Sequence, residues 1–242
     1  MKSNMYDETK TWNPFKGCLF DCVYCRPSFQ QQAKRQMHRC MDCYNYVPHY
    51  HPDRLNKIPS KPNIFVCGNS DICFCRRASF VFDIIEAIKK HNRRRPDKIY
   101  YFQSKRPEYF KQFLNDFPTN AVLLTTLETN RDEGYRKISK APVPTERYRQ
   151  FLSLDFSRKV VTIEPVLDFD LDVFVDWITT INPMYVWLGY NSRSEQVQLP
   201  EPDDEKMARF IRQLRKNRIP IKFKTISRTK TKSNEKRGRK NV

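Results

Sequence analysis

No apolar run in this 242-residue chain approaches the roughly 20 residues that a helix needs to cross a bilayer. The opening MKSNMYDETKTWNP holds nothing that could serve as a secretory signal. Glycine is scarce, at five residues, and no segment repeats. Acids are in deficit, with 27 Asp and Glu against 45 Lys and Arg. These absences argue against a membrane-spanning helix, a secreted precursor and a repeat array, and the expected compartment is the cytoplasm. There the eight cysteines point to metal or redox chemistry rather than to disulfides.

The length suits one domain, and a hydrophobic fraction of 39% is enough for a core at this size. Seventeen Phe and twelve Tyr supply much of it. The formal charge is +18; seven basic residues and one acid fall in the tail Arg228–Val242, and the rest of the chain still carries +12. Such a field attracts polyanions, DNA or RNA first. Solubility and a solvated tail are the plainer explanation of the same charge.

Short apolar or aromatic runs alternate with helical patterns. Candidate strands cover Asn63–Cys67, Lys98–Gln103, Ala121–Thr126, Lys159–Ile163 and Met184–Gly189, with a weaker first strand near Lys10–Pro14 and a last one at Ile221–Thr225. Helical spacing runs through Ser79–Arg93 (with Ser79 as the candidate cap), Pro107–Phe113, Thr145–Leu154, Asp170–Thr179 and Asp203–Asn217. Repeated strand–helix alternation predicts an α/β fold with parallel strands and right-handed crossovers, a partial (β/α)6 TIM-like barrel over residues 1–227. A Cys/His-rich insert falls at about 38–55, and a basic, disordered tail at 228–242. In such a barrel, sites gather at the carboxyl ends of the strands.

Cys18, Cys22 and Cys25 follow the first candidate strand with C-x3-C-x2-C spacing. Three close thiolates can hold three corners of an iron–sulfur cubane and leave the fourth iron open to a small molecule. The competing explanation is a zinc knuckle that takes a fourth ligand from elsewhere, Cys40 or His38.

The cysteine spacing, with Tyr24 before the third cysteine, resembles the signature of the radical S-adenosylmethionine (SAM) superfamily. Further pieces are similar to the phage Gp37/Gp68-like subgroup (DUF5131-type). They are TWNPFKGC, CMDCYNYVPHYHPDRL, FVCGNSD, SKRPE, TLETN, TIEPVLD and VWLGYNS, in order from about residue 11 to 227. The likeness extends more distantly to spore photoproduct lyase. Two pieces depart from the subgroup: Tyr190-Asn191-Ser192 replaces a polar acid, and Ser70-Asp71-Ile72-Cys73 replaces S-D-L-F. The resemblance implies a 4Fe-4S cluster on Cys18, Cys22 and Cys25 that cleaves SAM to a 5′-deoxyadenosyl radical, fed by an external electron donor of flavodoxin or ferredoxin type. That radical would take hydrogen from an unnamed substrate.

On the same resemblance, Gly68, Asn69, Ser70 and Asp71 occupy the turn expected to bind SAM, Asp71 accepting from its ammonium; an ordinary turn capped by Asp71 is the alternative. Glu128 and Asn130 are candidates for the ribose hydroxyls. Lys105, Glu164 and Lys224 form a tentative catalytic set at strand ends. There Lys105 and Arg106 could neutralise the SAM carboxylate, a substrate phosphate or Glu164, or else close the mouth with salt bridges. Cys40, Cys43, His49 and His51 make a candidate second metal site suited to zinc, which Cys67, Cys73 and Cys75 could also join. Three functions fit this pattern: a radical SAM enzyme acting on nucleic acid or a nucleotide, one acting on a peptide or small metabolite, and a non-catalytic zinc-dependent nucleic-acid-binding protein.

Overall fold

The computed structural model describes residues 9–224, so the basic tail expected at 228–242 lies outside the described residues. Among the described residues there are nine strands: β1 (Thr9–Trp12), β2 (Phe15–Lys16), β3 (His49–Tyr50), β4 (Asn63–Val66), β5 (Ile99–Gln103), β6 (Ala121–Thr126), β7 (Lys159–Ile163), β8 (Val186–Leu188) and β9 (Ile221–Phe223). Seven form one sheet in the order β1-β4-β5-β6-β7-β8-β9, every neighbouring pair parallel. The remaining two, β2 and β3, make a separate antiparallel ribbon.

Side chains alternate across the sheet with the period of two that a strand imposes. Ile64, Val66, Tyr100, Phe102, Leu123, Val161 and Leu188 join the core beneath the helices. Their neighbours Phe65, Tyr101, Leu124, Val160, Tyr185 and Trp187 pack together on the opposite face. Both faces are therefore dry, which is why these strands read as near-continuous apolar runs. On the second face the character changes along each strand. Tyr101 gives way to Gln103, Leu124 to Thr126 and Val160 to Thr162. The lower half is an aromatic floor, and the carboxyl ends are polar.

The helices are two short turns, α1 (Gln31–Ala33) and α2 (Met41–Tyr44), and four longer segments, α3 (Ala78–Asn92), α4 (Pro144–Leu152), α5 (Leu171–Ile181) and α6 (Asp204–Lys216). In α3, Val81, Ile84, Ile85 and Ile88 are buried along one stripe. Ser79 does not cap this helix as expected. The chain turns two residues earlier, so Arg77 takes the cap position and Ser79 falls in the first turn. In α6, the Asp203 carboxylate accepts from Lys206 N at 2.7 Å and satisfies an otherwise orphaned donor. Asn182, at a φ of 48°, ends α5 in the left-handed conformation that asparagine tolerates. The segment Pro107–Phe113 is a 3-10 turn rather than an α-helix, with Pro107 at its first position. No helix among the described residues is long and apolar enough to cross a membrane.

Phe210 locks α6 in place. It is fully buried, 4.8 Å from Phe169 and stacked 5.3 Å from Phe174 between ring centres. Replacing Phe210 with Ala is expected to cost about 3–5 kcal/mol of unfolding free energy, read by urea denaturation.

Candidate functional site

The carboxyl ends of the seven strands surround a cavity of about 460 Å³. One wall is the loop that follows β2. Gly17 starts it at a φ of +91°, and a Cβ there would fall 2.2 Å from Val47 O, so only glycine fits. Backbone bonds then hold the loop on several sides: Cys18 N to Tyr46 O at 3.4 Å, Val23 N to Ile138 O at 2.9 Å and Lys140 N to Phe20 O at 2.7 Å.

Cys18, Cys22 and Cys25 all line this cavity. Among the described lining residues there is no fourth cysteine and no histidine. Cys22 Sγ lies 3.1 Å from Ser139 Oγ and 3.4 Å from Lys105 Nζ. A hydrogen bond with Cys25 and the Lys105 ammonium set the Cys22 thiol below its ordinary value, against the upward push of burial. The same bond, and then burial, raises Cys25. Three sulfur donors without a fourth cysteine or a histidine beside them suit three corners of an iron–sulfur cubane. A zinc knuckle on this loop loses both of its expected fourth ligands, because Cys40 converges on other partners and His38 is exposed.

Beneath the loop, Glu128 is fully buried. Lys105 Nζ approaches its Oε1 at 2.5 Å and Arg147 Nη1 its Oε2 at 2.7 Å. Tyr135 donates to Oε1 at 3.0 Å, Tyr24 donates to the same oxygen, and Lys105 also contacts the Tyr24 hydroxyl. Burial alone would push this carboxyl up, but the Arg147 and Lys105 charges prevail and hold it at about 2. Burial likewise opposes the charge on Lys105, and the Cys22 and Glu128 anions more than offset it.

The remaining sequence candidates divide into two groups. Gly68, Asn69, Ser70 and Asp71 line the cavity, together with Lys105, Glu164 and Lys224. Asp71 also caps the short turn Ile72–Phe74: its carboxylate accepts from Cys73 N at 3.1 Å, Ser104 Oγ at 2.7 Å and Lys105 N at 2.7 Å. Burial nevertheless pushes its carboxyl up. Lys224 pairs with Glu164, while Lys105 pairs with Glu128. Gly189 permits the first pairing, since a Cβ there would crowd Lys224 Cβ at 3.0 Å. Glu128 and Asn130, by contrast, do not line the cavity. The Asn130 amide oxygen instead accepts from Asp170 N at 2.9 Å.

Among the described residues, the four ligand atoms of Cys40, Cys43, His49 and His51 gather within 4.8 Å of one another. Cys67, Cys73 and Cys75 lie outside that group as buried thiols, each raised by burial. Arg147, Tyr135 and Arg193 are not among the residues expected from the sequence. Arg193 lines the mouth, and Arg147 shares a buried helix face with Phe151.

A curled half-barrel of seven parallel strands with helices on its outer face is the partial-barrel fold of radical SAM enzymes. Three solved structures of that class share it. SuiB of Streptococcus suis bound to its precursor peptide SuiA is 9% identical, with a TM-score of 0.57 over 90% of this chain. The match covers 48% of SuiB, so the chain spans about half of that protein's length. A spore photoproduct lyase variant with a dinucleoside spore photoproduct is 9% identical, with a TM-score of 0.58 over 93% of this chain and 79% of that one. A radical SAM methyltransferase from Sphaerobacter thermophilus is 14% identical, with a TM-score of 0.53 over 91% of this chain and 67% of that one. At these identities the likeness establishes the fold. No protein-family model and no curated protein sequence matches the chain.

Arg147 generates a test of the buried network. Replacing it with Met removes one of two cations from a carboxylate that has no access to water. The expected loss is about 3–5 kcal/mol of stability, measured by chemical denaturation.

Proposed function

We propose that this chain is a radical SAM enzyme of the Gp37/Gp68-like kind. The observation that carries the proposal is the set of three thiols, with no fourth cysteine and no histidine among the described lining residues, in a cavity on the carboxyl ends of parallel strands. Cys18, Cys22 and Cys25 would hold a 4Fe-4S cluster, which would supply the one-electron chemistry of reductive SAM cleavage.

The residues of the chain do the positioning. Cys18, Cys22 and Cys25 are the ligands. Lys105 places a positive charge beside Cys22 and is held in place by Glu128. Burial of that pair keeps water from screening it. The turn Gly68–Asp71 and the polar ends Gln103, Thr126 and Thr162 offer hydrogen-bonding groups to the polar parts of SAM. Lys224, Glu164 and Arg193 flank the mouth, where a substrate would approach.

Anaerobic reconstitution with iron and sulfide, followed by reduction in the presence of SAM, is expected to yield 5′-deoxyadenosine. The Cys22→Ala variant should yield none, because the cluster would lose one of three ligands. A wild-type chain that takes up iron yet never cleaves SAM would remove the proposal.

The net charge of +18 favours an anionic substrate, a nucleic acid or nucleotide, over a peptide or neutral metabolite. Affinity of the full chain for DNA and RNA is then expected to drop at least about tenfold when salt is raised fourfold. Deleting residues 228–242 should weaken binding without abolishing it. Absent or salt-insensitive binding would redirect the search to peptides and small molecules.

A further inference from the structure

The insert at 38–55 holds a group of side chains that the radical chemistry does not use. Cys40 Sγ and Cys43 Sγ lie 3.5 Å and 3.3 Å from His49 Nε2, and Cys43 Sγ lies 3.2 Å from His51 Nε2. The two Nε2 atoms are 2.7 Å apart. His49 Nδ1 lies 2.7 Å from Val47 O, which can only accept, so the proton of this ring sits on Nδ1 and Nε2 presents a bare lone pair. His51 Nδ1 faces Asp53 Oδ1 at 3.9 Å, which turns its Nε2 the same way.

Three heteroatoms thus converge on one lone pair, more than hydrogen bonding at that nitrogen can use. A cation resolves the crowding. Tetrahedral zinc, with bonds of about 2.3 Å to sulfur and about 2.0 Å to nitrogen, sets adjacent sulfur and nitrogen atoms about 3.5 Å apart. The three distances between sulfur and nitrogen are already near that edge. The contact between the two imidazoles must open by roughly half an ångström, and every pair of the four ligand atoms already lies within 4.8 Å. The supporting shell is present as well: Val47 O orients His49, and Cys43 N donates to Cys40 Sγ across the short helix α2.

We propose that Cys40, Cys43, His49 and His51 bind one zinc ion in a closed, non-catalytic site that clips the insert onto the cysteine loop. Binding displaces the two thiol protons and leaves a neutral centre of one dication and two thiolates. Four protein ligands fill a tetrahedron, so no position is left for substrate. The clip acts on the loop through two contacts. His49 pairs with Lys16 in the β2–β3 ribbon, two residues before Cys18. The segment between Cys43 and His49 supplies Tyr46 O to Cys18 N and packs Val47 against Gly17. The zinc site itself is independent of the radical chemistry; its service to the cluster loop rests on that reading.

The test measures zinc and iron separately in the full chain, grown with zinc available and purified without chelator. About one zinc per chain is expected in the wild type and also in the Cys18→Ala/Cys22→Ala/Cys25→Ala triple variant, which carries no radical activity. Less than about a tenth is expected in Cys43→Ser. Cys40→Ser, at a half-exposed ligand, covers the case in which Cys43→Ser does not fold, and should lose zinc to a chromophoric chelator at least tenfold more readily. Cobalt in place of zinc should give tetrahedral ligand-field bands with thiolate charge transfer in the triple variant. Removing zinc from the wild type should speed hydrogen exchange at the Cys18 amide. A wild-type chain without zinc, zinc that persists unchanged in both serine variants, or zinc that vanishes with the triple variant would each overturn the proposal.

Discussion

A carboxylate with no access to water sits at the junction of the whole site. Glu128 receives Lys105 from the end of β5, Arg147 from α4, Tyr135 from a 3-10 turn and Tyr24 from the cysteine loop. Taking a charge out of water costs several kcal/mol unless partners compensate, so these segments are obliged to meet. The balance among them is informative. Two cations face one carboxylate, and the surplus positive charge on Lys105 is directed at Cys22 Sγ. Neutrality in a dry interior therefore asks for a thiolate at position 22, which is the form an iron ligand must take. The fold and the chemistry share one electrostatic condition.

The aromatic floor bears on the same condition from below. Phe65, Tyr101, Tyr185 and Trp187 fill the inner face under the cavity, and the Tyr185 hydroxyl bonds to that of Tyr101 at 3.2 Å. Polar groups begin only one step further along each strand. A sharp border of this kind fixes the depth at which a polar guest can sit, and it keeps the charged network from reaching solvent through the bottom of the sheet.

Legibility in the sequence followed the size of the physical signal. The five central strands, β4 to β8, stand out as apolar runs because burial on both faces leaves little polar alternation to obscure them, whereas the edge strands β1 and β9 are only partly buried and give weaker signals. The ribbon of β2 and β3 does not stand out, since two residues per strand are too few to show a period. The segment Pro107–Phe113 reads as helical but winds as a 3-10 turn, a difference that side-chain spacing hardly records. In the site, the cysteine loop is local and therefore readable, as is the group of residues 40, 43, 49 and 51. The partners of Glu128 are not. An arginine in TERYRQF looks like one more solvated side chain until the fold buries it, and only its shared face with Phe151 hints otherwise. Asn130 shows a contact that the sequence hides: it reads as a site residue beside a barrel mouth, and its amide oxygen accepts from Asp170 N.

Among the described residues, β1 and β9 lie at opposite edges of the sheet and do not pair. A closed barrel admits only what fits through its rim, whereas an arc has a side entrance. A long molecule can lie across such a gap and offer an interior segment without first threading a free end.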